Sequence, residues 1–156
     1  MRLGGRAAGV TMIVVVAAAL AGCAPGGADA EGGFGLPTLS ESDAAAIVAE
    51  GSSVEGALAV EANGCFTLAQ TDDAAAEGAW IVWPDGARQD GAEVVLASGD
   101  RVGEGALLVG VGAEVALADL PDGGSRDSYF GSFGRFCGAD ERGVLVLTGV
   151  ETSPAR

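Results

Sequence analysis

The chain has 156 residues, with 22 acids against eight arginines, no lysine, no histidine and a formal net charge of -14. That balance argues against nucleic-acid binding, which needs clustered basic side chains to neutralise phosphates. Without His or Lys there is no Ser-His or Cys-His catalysis, no imidazole metal ligand, no Schiff base and no P-loop lysine.

The first 22 residues read as a leader. Arg2 and Arg6 give a short positive start, and residues 7–20 carry no charge. As a helix that stretch would be about 21 Å long at about 1.5 Å per residue. A membrane span needs about 20 residues, so this one is short for a span and fits a signal-peptide apolar region.

Leu20-Ala21-Gly22-Cys23 ends the leader. This tetrad resembles the lipobox of bacterial lipoproteins. The resemblance covers the leader only. It implies that the Cys23 thiol receives a diacylglycerol and that the chain is cut just before it. The mature protein would then be anchored at the extracytoplasmic face of the cell membrane by two acyl chains, without spanning it. The competing readings are a secretory signal with a chance cysteine, and a cytosolic chain with a buried helix. Cleavage before Cys23 removes Arg2 and Arg6, so six arginines face 22 acids and the net charge becomes -16. Charge of that sign disfavours docking on anionic lipid or polyanionic wall polymers.

Residues 23–40 follow as a lipidated N-terminus and tether. Residues 24–40 hold five glycines and two prolines. Such a composition gives a flexible coil spanning about 20–25 Å. Phe34, Leu36 and Leu39 could order its end by docking on the domain. Residues 41–53 offer one short helix, with Glu41 and Asp43 early, alanines after them and Gly51 at the end.

From Val54 the pattern turns to strands. Leu58, Val60 and Ala62 share one parity while Glu55 and Glu61 take the other, as in a half-buried strand. Asn63-Gly64 is a tight turn or a bulge. Phe66 and Leu68 then share a face, with Cys65 opposite. An acidic, alanine-rich loop precedes Ala79-Trp80-Ile81-Val82-Trp83, which is apolar on both faces and reads as a central strand. Pro84-Asp85-Gly86 ends it as a turn. Residues 93–97 form the next strand. A longer stretch from Ala106 to Leu117 is interrupted at Gly112, suggesting a bend or bulge. A polar loop and an aromatic segment follow. Residues 143–150 make a last strand, apolar on both faces, and residues 151–156 are a tail.

These elements make residues 54–150 an all-β domain, a five- or six-stranded barrel or sandwich with turn signals about every ten residues. Five strands with glycine bends favour an OB-like barrel. Once Cys23 is lipidated, Cys65 and Cys137 remain and can pair in an oxidising compartment. They are 72 residues apart in sequence, so a disulfide would close a long loop. The alternatives are free thiols, a redox pair, or a zinc site completed by carboxylates. No Cys-x-x-Cys occurs, and no His or Lys lies near either cysteine to lower its pKa.

Residues 64–68 (Gly-Cys-Phe-Thr-Leu), 82–86 (Val-Trp-Pro-Asp-Gly), 99–102 (Gly-Asp-Arg-Val) and Cys137-Gly138 resemble segments of small uncharacterised lipoproteins from high-G+C bacteria. That resemblance implies a compact β-domain and transfers no functional residue.

Three features could carry chemistry. Asp119, Asp122 and Asp127 surround a glycine loop that could hold calcium, though Arg126 sits among them and the spacing departs from an EF-hand. Asp72, Asp73 and Glu77 form a similar group. A solvated loop is the plainer reading of both. Tyr129, Phe130, Phe133 and Phe136 either pack beside Cys137 or present rings to sugars or a partner. Trp80 and Trp83 have opposite parity, so one is expected on the outer surface or under a loop, where a binding face could lie. The sequence therefore points to a membrane-anchored lipoprotein with a non-catalytic interaction or envelope module. It has no catalytic, cofactor or metal residues, and its envelope partner is unknown. The alternatives are a small-ligand or calcium-binding lipoprotein and, behind them, a small hydrolase.

Overall fold

A computed structural model describes residues 35–70 and 78–153. The leader with Cys23, most of the tether, the Asp72-Asp73-Glu77 group and the end of the tail lie outside the described residues.

The described chain begins with a two-residue strand β1 (Thr38–Leu39) and a short helix α1 (Glu41–Ile47). The Ser40 hydroxyl caps α1 by accepting from the Asp43 amide at 3.1 Å, and two acids in the first turn suit the positive end of the helix. Strands β2 (Ser52–Val60), β3 (Phe66–Gln70) and β4 (Ala79–Pro84) follow as a meander. A separate three-stranded sheet comes next: β5 (Arg88–Asp90), β6 (Glu93–Val95) and β7 (Arg101–Val102). The long β8 (Leu107–Val115) returns to the main sheet. A 3-10 turn (Leu117–Asp119) and two helices, α2 (Tyr129–Phe136) and α3 (Ala139–Arg142), lead to β9 (Val144–Thr152).

The main sheet closes on itself. β2 pairs with β3 and β8, β3 with β4, β8 with β9, and β9 runs parallel to β4. The result is a closed, mixed five-stranded barrel, with β1 added parallel to β4 through the pair Thr38 and Trp83. This is the OB-like barrel of the expected alternatives. Closure gives each of the five strands a partner on both sides over part of its length.

Two apolar clusters explain the sequence pattern. One fills the barrel, with Leu58, Phe66, Leu68, Ile81, Trp83, Leu108, Leu145 and Leu147 pointing inward from all five strands. Val94, Leu96 and Val102 of the small sheet join it. The other cluster lies on the outer wall of β4 and β9. There Trp80, Val82, Val144 and Val146 are covered by Val48, Leu117, Phe130 and Phe133. β4 and β9 are apolar on both faces because each has barrel interior on one side and helix on the other. Trp80 and Trp83 do have opposite parity, yet both are buried, at 1% and 0% exposure. The expected binding face at a tryptophan is therefore not there. Trp80 sits under α2, its ring 5.2 Å from that of Phe133.

The interruption at Gly112 is a bulge. The β8–β9 register shifts between Val111 and Gly112, where a Cβ on Gly112 would stand 2.4 Å from the Val146 carbonyl oxygen. Cys65 and Cys137 are at disulfide distance, with Cα atoms 5.7 Å apart. Cys65 leads into β3 and Cys137 caps the end of α2, so the bond ties the helical layer to the barrel wall.

Several elements differ from the sequence-based expectation: β2 starts at Ser52, β9 runs on to Thr152 where a tail was expected, and the short strands β5 and β7 and the helix α3 lie in stretches read as loop. The folded unit extends back past residue 54: Leu39, Ala44 and Val48 are buried, and the Trp83 amide donates to the Pro37 carbonyl at 2.8 Å. The aromatic segment is a helix, α2. Its buried residues Phe130, Phe133 and Gly134 recur at helical spacing on one face.

Candidate functional site

Among the described residues, one concavity open to a ligand lies where the Pro84 turn, the Leu96 turn and strands β8 and β9 meet. It is a groove of about 580 Å³, walled by the Pro84-Asp85 turn, the Leu96-Ala97-Ser98 turn and the glycine-containing stretches of β8 and β9. A second hollow of about 510 Å³, lined by α1, shares Pro84, Asp85 and Thr148 with it. These three residues form a common saddle between the two.

Local sequence builds each wall. Pro84 ends β4, and Asp85 Oδ1 accepts from the Gly86 amide at 2.9 Å, with Gly86 at φ 85°. Those are the fixed φ and the left-handed residue that the Pro-Asp-Gly turn needs. The Leu96-to-Asp100 turn closes when the Gly99 amide donates to the Leu96 carbonyl at 2.8 Å. The floor comes from β8 and β9, where Gly110 faces Val150 in register. A Cβ on Gly110 would lie 2.4 Å from the Gly149 carbonyl oxygen. The two strands approach closely there, leaving space above them that side chains would otherwise fill.

The groove's surface is mainly apolar, with Val109, Val111, Val150 and Leu96 among its lining residues. Val111 is 47% exposed. Its polar groups are Asp85, Glu151, Ser53, Ser98 and Thr148. The Thr148 hydroxyl donates to the Val111 carbonyl at 3.1 Å, beside the bulge. With carboxylates as its ionisable groups, the groove suits a ligand that pairs apolar surface with hydroxyl, amine or cationic groups.

Of the three acids around the glycine loop, the Asp119 carboxylate is engaged by the backbone. Asp119 Oδ2 accepts from the Ala116 amide at 3.0 Å, capping the 3-10 turn. Asp122 takes φ 54°, and its carbonyl accepts from the Ser128 hydroxyl at 2.7 Å. Arg135 reaches back to the carbonyls of Gly124 at 3.2 Å and Gly131 at 2.8 Å. Among the described residues no three acidic or cysteine side chains gather as a metal-holding group. The four aromatics divide by burial. Phe130 and Phe133 are core, while Tyr129 and Phe136 are 45% and 48% exposed.

Sequence reasoning missed the groove. Its walls come from five separated stretches of chain, and no single stretch carries a motif. The signals available were the Pro-Asp-Gly turn and the glycines of β8 and β9, read singly as turn and bend. Compared with protein-family models, with curated proteins and with solved structures, the chain finds no match in any of the three.

Proposed function

We propose that this chain is a bacterial lipoprotein, held at the extracytoplasmic face of the cell membrane by acyl chains on Cys23, and that its barrel is a non-catalytic interaction or envelope module. One observation carries the reading. A charge-free stretch of residues 7–20, preceded by two arginines, ends on Leu20-Ala21-Gly22-Cys23. Two features of the domain support it. The paired Cys65 and Cys137 suit an oxidising compartment, and the described domain starts close behind Cys23, leaving a short connection to the membrane. The test is fractionation of a bacterial host expressing the full chain. Wild type should sediment with membranes and be released by detergent, and Cys23→Ser should lose the diacylglycerol. Wild type that stays soluble would sink the proposal.

The groove favours a second reading, a small-ligand-binding lipoprotein. A ligand present at 100 times its Kd raises stability by about 2.7 kcal/mol, which a thermal melt reads directly. A compound from a panel of polyols, amines and sugars should give such a shift in wild type, and Val111→Arg should abolish it. A shift that survives Val111→Arg would place binding elsewhere.

A further inference from the structure

Helix α2 exposes two rings on one side. Tyr129 and Phe136 are its first and last residues. Seven residues at about 1.5 Å each put them two turns apart, about 10 Å, on the same face. Phe130 and Phe133, buried over Trp80, lie next to them on the helix, and the Tyr129 ring packs edge-on against both, at 5.2 and 5.9 Å between centroids. The exposed rings therefore sit on a rigid support, fixed at its far end by the Cys65–Cys137 bond.

Two further observations concern the same face. The first is where the chain leaves the described structure. The Tyr129 hydroxyl donates to the Leu36 carbonyl at 3.4 Å, so the segment leading back to Cys23 departs beside Tyr129. Thirteen residues separate Cys23 from Leu36, a reach of at most about 45 Å at about 3.3–3.6 Å per residue.

The second is charge. The described residues hold 17 acids and five arginines, a net of -12. Residues 126–142 hold three of those arginines and three of those acids, a net of zero. With Glu61, which pairs with Arg142, the count is three arginines against four acids, a net of -1, and the remaining -11 lies on the rest of the described residues. Within this segment Arg135 pairs with Asp140 at 3.2 Å, and Arg142 pairs with Glu61 of the adjoining β2–β3 connection.

From these we infer that the Tyr129–Phe136 face of α2 is the surface the domain turns toward the lipid bilayer, with its rings in the interfacial region. The inference rests on the anchor at Cys23. An anionic surface repels the strongly acidic parts of the barrel and leaves the weakly charged α2–α3 segment as the one that can approach. Tyr and Phe then enter the headgroup boundary, where an aromatic ring keeps its apolar body in lipid and a hydroxyl in water. Net charge thus orients the domain at the membrane instead of simply holding it away.

The experiment uses the full lipidated protein reconstituted into phosphatidylcholine and phosphatidylglycerol vesicles, with or without bromine on the acyl chains. Bromine quenches a tryptophan that touches lipid. Phe136→Trp and Tyr129→Trp each report from the face. Leu107→Trp is the control, because Leu107 is 40% exposed at the opposite end of β8 from Val115, about 25 Å away for eight steps of strand. Wild type, with its two buried tryptophans, supplies the baseline. The expected result is that the emission added by Phe136→Trp and Tyr129→Trp falls by about half in brominated vesicles, while that added by Leu107→Trp is unchanged. Equal quenching at all three positions, or none, overturns the orientation while leaving the anchor standing. Emission at position 136 that is blue-shifted but untouched by bromine means a protein covers the face, and overturns it also. Protein that fails to float with the vesicles overturns the anchor, and the orientation with it.

Discussion

Removing the Cys65–Cys137 bond, which lies within the outer apolar cluster, should be among the most damaging single changes to the fold. The bond spans 72 residues of sequence. In the chain-entropy treatment a loop of that size restricts the unfolded chain by about 15 cal/mol/K, or about 4.4 kcal/mol at 25 °C. Leu36 to Thr152 is 117 residues of sequence. With about 2.1 cal/mol/K of unfolding entropy per residue, the total is about 0.25 kcal/mol/K, so the loss corresponds to a fall in Tm of about 18 °C. The assay is a thermal melt of wild type, Cys65→Ala, Cys137→Ala and the double variant. Either single change breaks the same bond, so the double variant should cost little more than each single one. A fall below about 5 °C, or additive single effects, would refute the reasoning.

Other outcomes follow from the packing and the charges. Ile81→Ala, at a position with no exposed surface inside the barrel, should cost about 2–5 kcal/mol in denaturant titration. Gly131→Ala should destabilise, although alanine ordinarily favours a helix by about 1 kcal/mol, because its Cβ would stand 1.7 Å from the Ser125 carbonyl oxygen; a rise in Tm would contradict that contact. Burial raises the pKa of the Tyr129 phenol above its ordinary value of 10.0. Between that value and the raised one the unfolded chain has lost the proton and the folded one keeps it, so stability should fall as pH climbs past 10. With one tyrosine and no lysine in the chain, Tyr129→Phe should flatten that alkaline loss in melts taken from pH 9 to 11, and an unchanged slope would count against it.

Much of the barrel was legible because its strands are two-faced in a regular way. The parity of Leu58, Phe66 and Leu68 marked one inward face, and the uninterrupted apolar runs 79–83 and 144–147 marked the strands buried on both sides. The turn at Pro84-Asp85-Gly86 and the bulge at Gly112 also carried their own backbone signals. Helix α2 was hidden by its composition. Tyr-Phe-Gly-Ser-Phe-Gly-Arg-Phe has two glycines and four aromatics, all weak helix formers. The glycines serve the packing, since a Cβ on Gly134 would lie 2.4 Å from Leu117 and 3.2 Å from the Trp80 ring. The signals for the helix were Ser128 as its cap, accepting from the Gly131 amide at 3.0 Å, and apolar residues at 130, 133, 134 and 137. β5 and β7 are two or three residues long and polar enough to pass for loop. The groove could not be read at all, because it exists only once the two strand-end turns and the glycine floor of β8 and β9 come together.

The central claim is the lipid on Cys23, and intact-mass and peptide mass spectrometry of protein extracted from the membrane tests it most directly. The account predicts a mature chain that begins at Cys23 and carries a diacylglycerol on its sulfur. An unmodified Cys23, or a chain cut at another residue, would contradict it.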